Sequence, residues 1–434
     1  MKDWTIKELQ RYDKEICKIA EEKYALDWFP IEYEILDYHE MLGAMAYSGL
    51  PTHYRHWSFG KNFERTSTRY NLGMEGLPYE MIINSNPSIA YLMLENPMSI
   101  HLLTMAHCVG HSDFFKNNRM FKETDPSNII SRFKSASKRV RDYIEDPSIG
   151  IDRVEAILDA CHSIQYQVPR IPGIVRSPAS SKEDKNNEDN KNLIGDLFRF
   201  ENIEDYNLLG FIKNNSRNLE DWQRDLVGMV ERRSSYFIPQ ARTKIMNEGW
   251  AVMIHEKIMN DLNLPDKYQI AFLKSHNQVV RPMLGRINPY HLGYNMFKKI
   301  ERDHGFEECK LVREIHDDEA FIRKYLDEEM CKELNLFSYS YNKPGRKYAI
   351  NDISDKEGWK SVRDALISNV GLNSVPVVRV DKFNKKMNIL YLKHEHDGRD
   401  LEISYANKVY DHIKFLWDDD IIFTSILEGE LWEF

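Results

Sequence analysis

The chain has 434 residues, with 42% hydrophobic, 29% charged and 12% aromatic side chains, a composition that suits a soluble globular protein of two or three domains. Its net charge is −9, so the basic footprint of a nucleic-acid binder is absent. Five scattered cysteines, Cys17, Cys108, Cys161, Cys309 and Cys331, form no CxxC pair, which argues against a disulfide framework and for a reducing cytoplasm.

Apolar residues at helical spacing (Ile6, Leu9, Ile16, Ile19, Ala20) predict a first helix over Thr5–Ala25. This charged segment has neither the apolar core nor the cleavage site of a signal peptide, and no apolar run in the chain reaches bilayer length. Residues 49–66, GLPTHYRHWSFGKNFERT, read as an ordered, aromatic-rich loop. Next come a strand at Tyr79–Ile83, a turn at Asn84–Pro87, a helix to Glu95, and a break at Asn96–Pro97 that opens a second helix. Residues 127–146 and 151–166 are further helices, the first basic and amphipathic. The run 177–192, SPASSKEDKNNEDNKN, holds almost nothing that can enter a core and is expected to be a disordered insertion. Helices resume at 220–240, 243–262, 267–276 and 293–304. Beyond about Leu336 the strand-like VPVVRVDKF and MNILYLKHEH alternate with helical pieces. The expected architecture is mainly α: a helical domain over 1–335 and a small α+β domain over 336–434.

Chemistry concentrates on three predicted helices. In HCVGH, His107 and His111 stand four residues apart, about 6 Å along one helix face, the spacing at which two imidazoles can bind one metal ion. In EGWAVMIH, Glu248 and His255 share a face two turns apart. EAILDACH repeats that spacing with Glu155 and His162, with Asp159 between them. A separation of about 10.5 Å makes it improbable that one ion takes both members of such a pair directly, so one ligates while the other supports it, contacts substrate or serves a second ion. The zinc-protease signature H-E-x-x-H carries its general base beside the first histidine, where this chain has Cys108. Glu155, Glu248 and Asp113 are alternative carboxylates for that role. The bland alternative is that these histidines are packed core residues. Phosphate-cradling glycine loops and G-x-S-x-G elbows are absent, and Cys108 and Cys161 point about 100° away from their neighbouring histidines.

The runs YEMIINSNPSIAYLMLENPMSIHLLTMAHCVGHSDFFKNN, VEAILDACHSIQ, YFIPQARTKIMNEGWAVMIHEKIM and INPYHLGYNMFKKIERD resemble, in this order, the stage V sporulation protein R (SpoVR) family over roughly residues 5–430. That resemblance implies a bacterial sporulation protein acting in formation of the spore cortex, a peptidoglycan layer. It implies partners of two kinds, a serine kinase of the AAA type and a von Willebrand-like protein. Its helices are similar to those of gluzincin-like metallopeptidases, which by position implies His107, His111 and Glu248 as zinc ligands, with Cys108 departing from that pattern. The reading that follows is a cytoplasmic zinc-dependent hydrolase of an amide bond. Its fourth metal position is open or taken by His255, Glu155 is the base, and His162 or His276 is the transition-state donor. A second reading is a helical di-iron or di-manganese site in which Glu155, His162, Glu248 and His255 converge with His107 and His111. A third is a non-enzymatic regulator or scaffold of cortex assembly.

Overall fold

In the computed structural model the described residues are 3–50, 53–72, 80–171, 201–283, 286–342 and 347–434. The expected insertion at 177–192 lies outside them. The fold is mostly helical, with sixteen α-helices among the described residues and a sheet near the C-terminus. The chain forms two compact units, each assembled from separated segments. Unit 1 takes Met1–His53, Trp57–Lys134 and Gln240–Ser374; unit 2 takes Tyr54–His56, Ser135–Pro239 and Val375–Phe434.

Unit 1 is organised around the helix Met98–Asn117, in which every residue from Met98 to Phe115 is buried. Such a helix needs partners all round. It packs against Lys244–Asp261, which in turn packs against Pro289–His304, while Ile6–Glu22, Asp266–Val279 and Phe306–Ile315 cover further sides. Trp250 sits at the centre, fully buried. Its ring stacks on Phe306 at 5.8 Å, and its indole N–H donates to Asp113 at 2.9 Å.

Two close crossings set the spacing of these helices. A Cβ at Gly110 would lie 2.7 Å from the Cα of Ala251, and one at Gly249 would lie 2.3 Å from the carbonyl carbon of Gly293. Glycine at these positions lets backbone approach backbone. The first turn of Lys244–Asp261 has no cap from its own Thr243; Asp318 supplies it instead, accepting from the N–H groups of Ile245 and Met246, each at 2.9 Å.

A small sheet borders the same unit. Strand β1 (Ile31–Leu36) runs parallel to the central β3 (Ser88–Met93), and β2 (Glu80–Ile83) pairs antiparallel on the other side. The expected helix ending at Glu95 is therefore a strand. β3 is flanked on both edges and buried on both faces, so its apolar run SIAYLM carries no period-2 alternation to mark it. Residues 57–66, expected to be loop, belong instead to the helix Trp57–Asn71. A two-stranded ribbon, β5 (Phe337–Asn342) with β6 (Lys347–Ile353), and the helix Trp359–Ile367 also belong to this unit.

Unit 2 holds the helices Gly150–Ser163, Leu208–Asn215 and Ile403–Trp417, with most of Ile129–Glu145 and Asp221–Arg242. Its sheet comprises β4 (Glu201–Asp205), β7 (Val378–Asn384), β8 (Ile389–His394), β9 (Ile421–Leu427) and β10 (Glu430–Glu433), in the order β10-β9-β8-β7-β4. β8 and β9 are parallel, joined through Ile403–Trp417; the other pairs are antiparallel. Among the described residues no helix is long and apolar enough to cross a membrane.

Candidate metal centre

His107 and His111 lie one helical turn apart on Met98–Asn117, and Glu248 approaches them from Lys244–Asp261. The glycine crossing at Gly110 draws these two helices together between the histidines. One ligand atom from each of the three side chains lies within 4.8 Å of the other two. Glu248 Oε2 is 3.4 Å from His111 Nε2 and 3.7 Å from His107 Nε2. Donors that share a tetrahedral ion at about 2.0–2.2 Å stand about 3.3–3.5 Å apart, so the spacing suits one small divalent cation. His107 Nε2 and Glu248 Oε2 are buried and have no hydrogen-bond partner. Buried polar atoms left unpaired are costly, and two of them facing each other fit a site built for a ligand.

The opposite nitrogen of each imidazole is held from behind. His111 Nδ1 is 2.9 Å from Asn247 Oδ1; donation to that carbonyl leaves the lone pair on Nε2. His107 Nδ1 is 2.9 Å from His255 Nδ1, and His255 Nε2 is 2.9 Å from His276 Nδ1. Both ring nitrogens of His255 are thus engaged, and it backs His107 rather than facing the cluster. His276 is the outer member of this three-imidazole chain, with its ring edge-on to Tyr294.

The electrostatics follow from burial. Burial and the neighbouring His111 push His107 down to about 4. Burial opposes the charge on Glu248, but its contacts with His107 and His111 outweigh it and hold the carboxyl below its ordinary range. His111 is also buried, and contact with Glu248 raises it nonetheless. Burial drives His255 well down, so it is neutral near pH 7.

Two groups near the centre were not foreseen. Glu80 on β2 brings Oε1 to 3.9 Å from His107 Nε2, and burial pushes its carboxyl up to about 7. Tyr290 lies against Glu248, whose charge, with burial, raises the phenol well above its usual value. Asn288 caps the helix that carries Tyr290, accepting from the Tyr290 N–H at 3.1 Å ahead of a first-turn proline. The available hints were an acid in an otherwise apolar strand, YEMII, and the capping run INPY; neither reveals proximity in space.

Glu155 and His162 are not part of this cluster. They lie on Gly150–Ser163 in unit 2, where Tyr54 Oη and His162 Nε2 are 2.7 Å apart and Asp159 is 3.1 Å from His56 Nε2. Their spacing repeats that of Glu248 and His255 on a different helix, without bringing the two pairs to one centre. Cys108 is fully buried, and that burial holds its thiol well above the ordinary range, so it offers no base in place of the missing glutamate.

Fold and site together define a mainly helical protein with a buried His–His–Glu candidate metal centre. The chain belongs to the SpoVR family: the family described as SpoVR like protein matches residues 3–375. It is also similar to the protein YcgB of Escherichia coli K12, with 31% identity over an alignment covering 97% of this chain and 92% of that one. No solved structure matches the chain.

Proposed function

We propose that this protein is a hydrolase of an amide bond that depends on a single divalent ion, acting in the cytoplasm on a peptide or peptidoglycan precursor during spore-cortex formation. The observation that carries the reading is the meeting of His107 Nε2, His111 Nε2 and Glu248 Oε2, two of these atoms buried without a partner. Two imidazoles and one carboxylate with positions left over are the donor set of catalytic zinc sites and equally of mononuclear iron(II) sites, so the choice of zinc rests on the likeness to gluzincin-like enzymes. The helix bearing both histidines and the later helix bearing the glutamate support the likeness to gluzincin-like enzymes; family membership supports the sporulation context.

The ion, when bound, would polarise the scissile carbonyl and lower the pKa of water. His107, His111 and Glu248 would hold it, while Asn247 and His255 fix the ring orientations of the two histidines. His107, carrying its proton on Nδ1, donates to His255 Nδ1, whose Nε2–H then donates to His276 Nδ1, so the tautomer of His107 fixes those of the two rings behind it.

The test is elemental mass spectrometry of the purified, untagged protein beside His107→Ala and Glu248→Ala. About one zinc per chain, lost in both variants, is the expected result. Metal absent from every sample would overturn the reading and favour a scaffold. Two iron or manganese ions per chain would favour the di-metal alternative.

A further inference from the structure

An amide hydrolase needs a proton acceptor beside the attacking water, and the position that supplies it in H-E-x-x-H enzymes is here the buried Cys108. Other carboxylates of unit 1 near the centre are committed elsewhere. Asp113 accepts from the Trp250 indole and from the N–H of Asp27, and Glu256 is held by Tyr294 and Lys298. Glu248 belongs to the donor set. Glu80 is different. Its side chain is 16% exposed, and Oε1 reaches within 3.9 Å of His107 Nε2, on the side of the ring that faces Glu248. It nevertheless stands outside the trio whose ligand atoms all lie within 4.8 Å of one another. A carboxylate close to one donor but outside the donor set is placed to act on a water rather than on the ion. It is delivered by an edge strand through the pairing Glu80↔Leu92, so it reaches the centre from the sheet and not from the helix that carries the histidines.

We propose that Glu80 is the general base of this site, standing in for the glutamate that the histidine helix lacks. The assignment rests on the metal-dependent amide hydrolase reading above. Glu80 takes a proton from the attacking water as the water oxygen forms a bond to the amide carbon. The C–N bond then breaks, its electron pair stays on nitrogen, and Glu80 returns the proton to the departing amine. A carboxylic acid and an amine are released, Glu80 ends as it began, and nothing is oxidised or reduced.

The experiment uses the full chain, loaded with zinc for metal content and with cobalt for spectroscopy, as wild type, Glu80→Gln, Glu80→Ala and His107→Ala. Acetohydroxamate is the probe, because it donates a hydrogen bond to a carboxylate beside the ion; azide, which donates none, is the control. Binding of each is read from the visible spectrum of the cobalt protein. The expected result is full metal content in both Glu80 variants, unchanged azide binding, and acetohydroxamate binding weaker by about 10- to 100-fold, the loss of one charge-assisted hydrogen bond. Metal lost from both Glu80 variants as from His107→Ala would make Glu80 a ligand and overturn the assignment while leaving the metal reading intact. Full metal content with wild-type acetohydroxamate binding would also overturn it. A wild type that takes up no ion overturns the metal reading, and this assignment with it.

Discussion

Replacing Gly249 by alanine tests whether backbone contact builds the centre. The added Cβ would stand 2.3 Å from the carbonyl carbon of Gly293 and 2.5 Å from its Cα, where ordinary contact begins at 3.4 Å. The helices Lys244–Asp261 and Pro289–His304 must therefore separate by about 1.1 Å, the difference between 3.4 and 2.3 Å, and neither obstructing atom belongs to a side chain that can rotate away. Overpacking of this kind costs about 1–3 kcal/mol, and rigid backbone on both sides points to the upper end, about 3 kcal/mol. Glu248 is the adjacent residue and Tyr290 lies on the displaced partner helix, so the donor set is disturbed as well. Gly43→Ala is the internal control: it lies within the helix Tyr38–Ala46, and nothing stands within 4 Å of its added Cβ, so it should stabilise by about 0.5–1 kcal/mol through helix propensity. Urea unfolding measures all three proteins, and elemental analysis follows the metal. A Gly249→Ala protein that unfolds at the wild-type urea concentration with wild-type metal content would refute the reasoning.

Three further outcomes are expected. His255→Ala removes the group behind His107 Nδ1 and should weaken zinc binding by about 10- to 100-fold in a competition titration, with one ion still taken up at saturation; unchanged affinity would show that the imidazole pair plays no supporting part. Asp318 is buried, which pushes its carboxyl from 3.8 up to about 7. The folded protein therefore keeps a proton that the unfolded chain has released, and the contribution of this group to stability falls as pH rises from about 4 to about 7. Asp318→Asn should flatten that slope in urea midpoints measured across the window, and an unaltered slope would rule the residue out as its source. Cys108, Cys161, Cys309 and Cys331 are buried and Cys17 is half-buried with its thiol pushed up to about 12, so the native protein should show at most one slowly reacting thiol toward a disulfide reagent at neutral pH, and five after denaturation.

Much of the helical framework was legible because its signals are local. Thr5 with Glu8 forms a capping box, apolar spacing marks Ile6–Glu22, and Pro97 stands at the start of the histidine helix. HCVGH marked one half of the candidate site for the same reason, since i and i+4 on a helix are neighbours whatever the tertiary fold. The other half depended on family likeness to select Glu248 from several acids. Glu80 and Tyr290 could not be found by spacing, for they arrive from a strand edge and from the first turn of a distant helix. Glu155 and His162 show the converse: an identical i and i+7 pattern carries no information about which unit its helix joins. β3 was misread because a strand buried on both faces is an apolar run, and only its neighbours in space distinguish it from a helix.

The interleaving of the two units has a consequence during synthesis. The histidine helix, apolar and polar residues alike, is buried from Met98 to Phe115, yet its principal partner lies far downstream; His107 meets a residue 148 positions later. At about 5–20 residues per second, the ribosome takes roughly 7–30 s to supply it. Throughout that interval the growing chain exposes a segment that has no solvent-facing side, and its own N-terminal helix and small sheet can shield only part of it. Unit 1 stays incomplete until residue 374 has emerged, so the usual order in which an N-terminal domain closes before its successor is made does not apply. The nascent protein is thus expected to be a client of ribosome-associated chaperones for much of its translation.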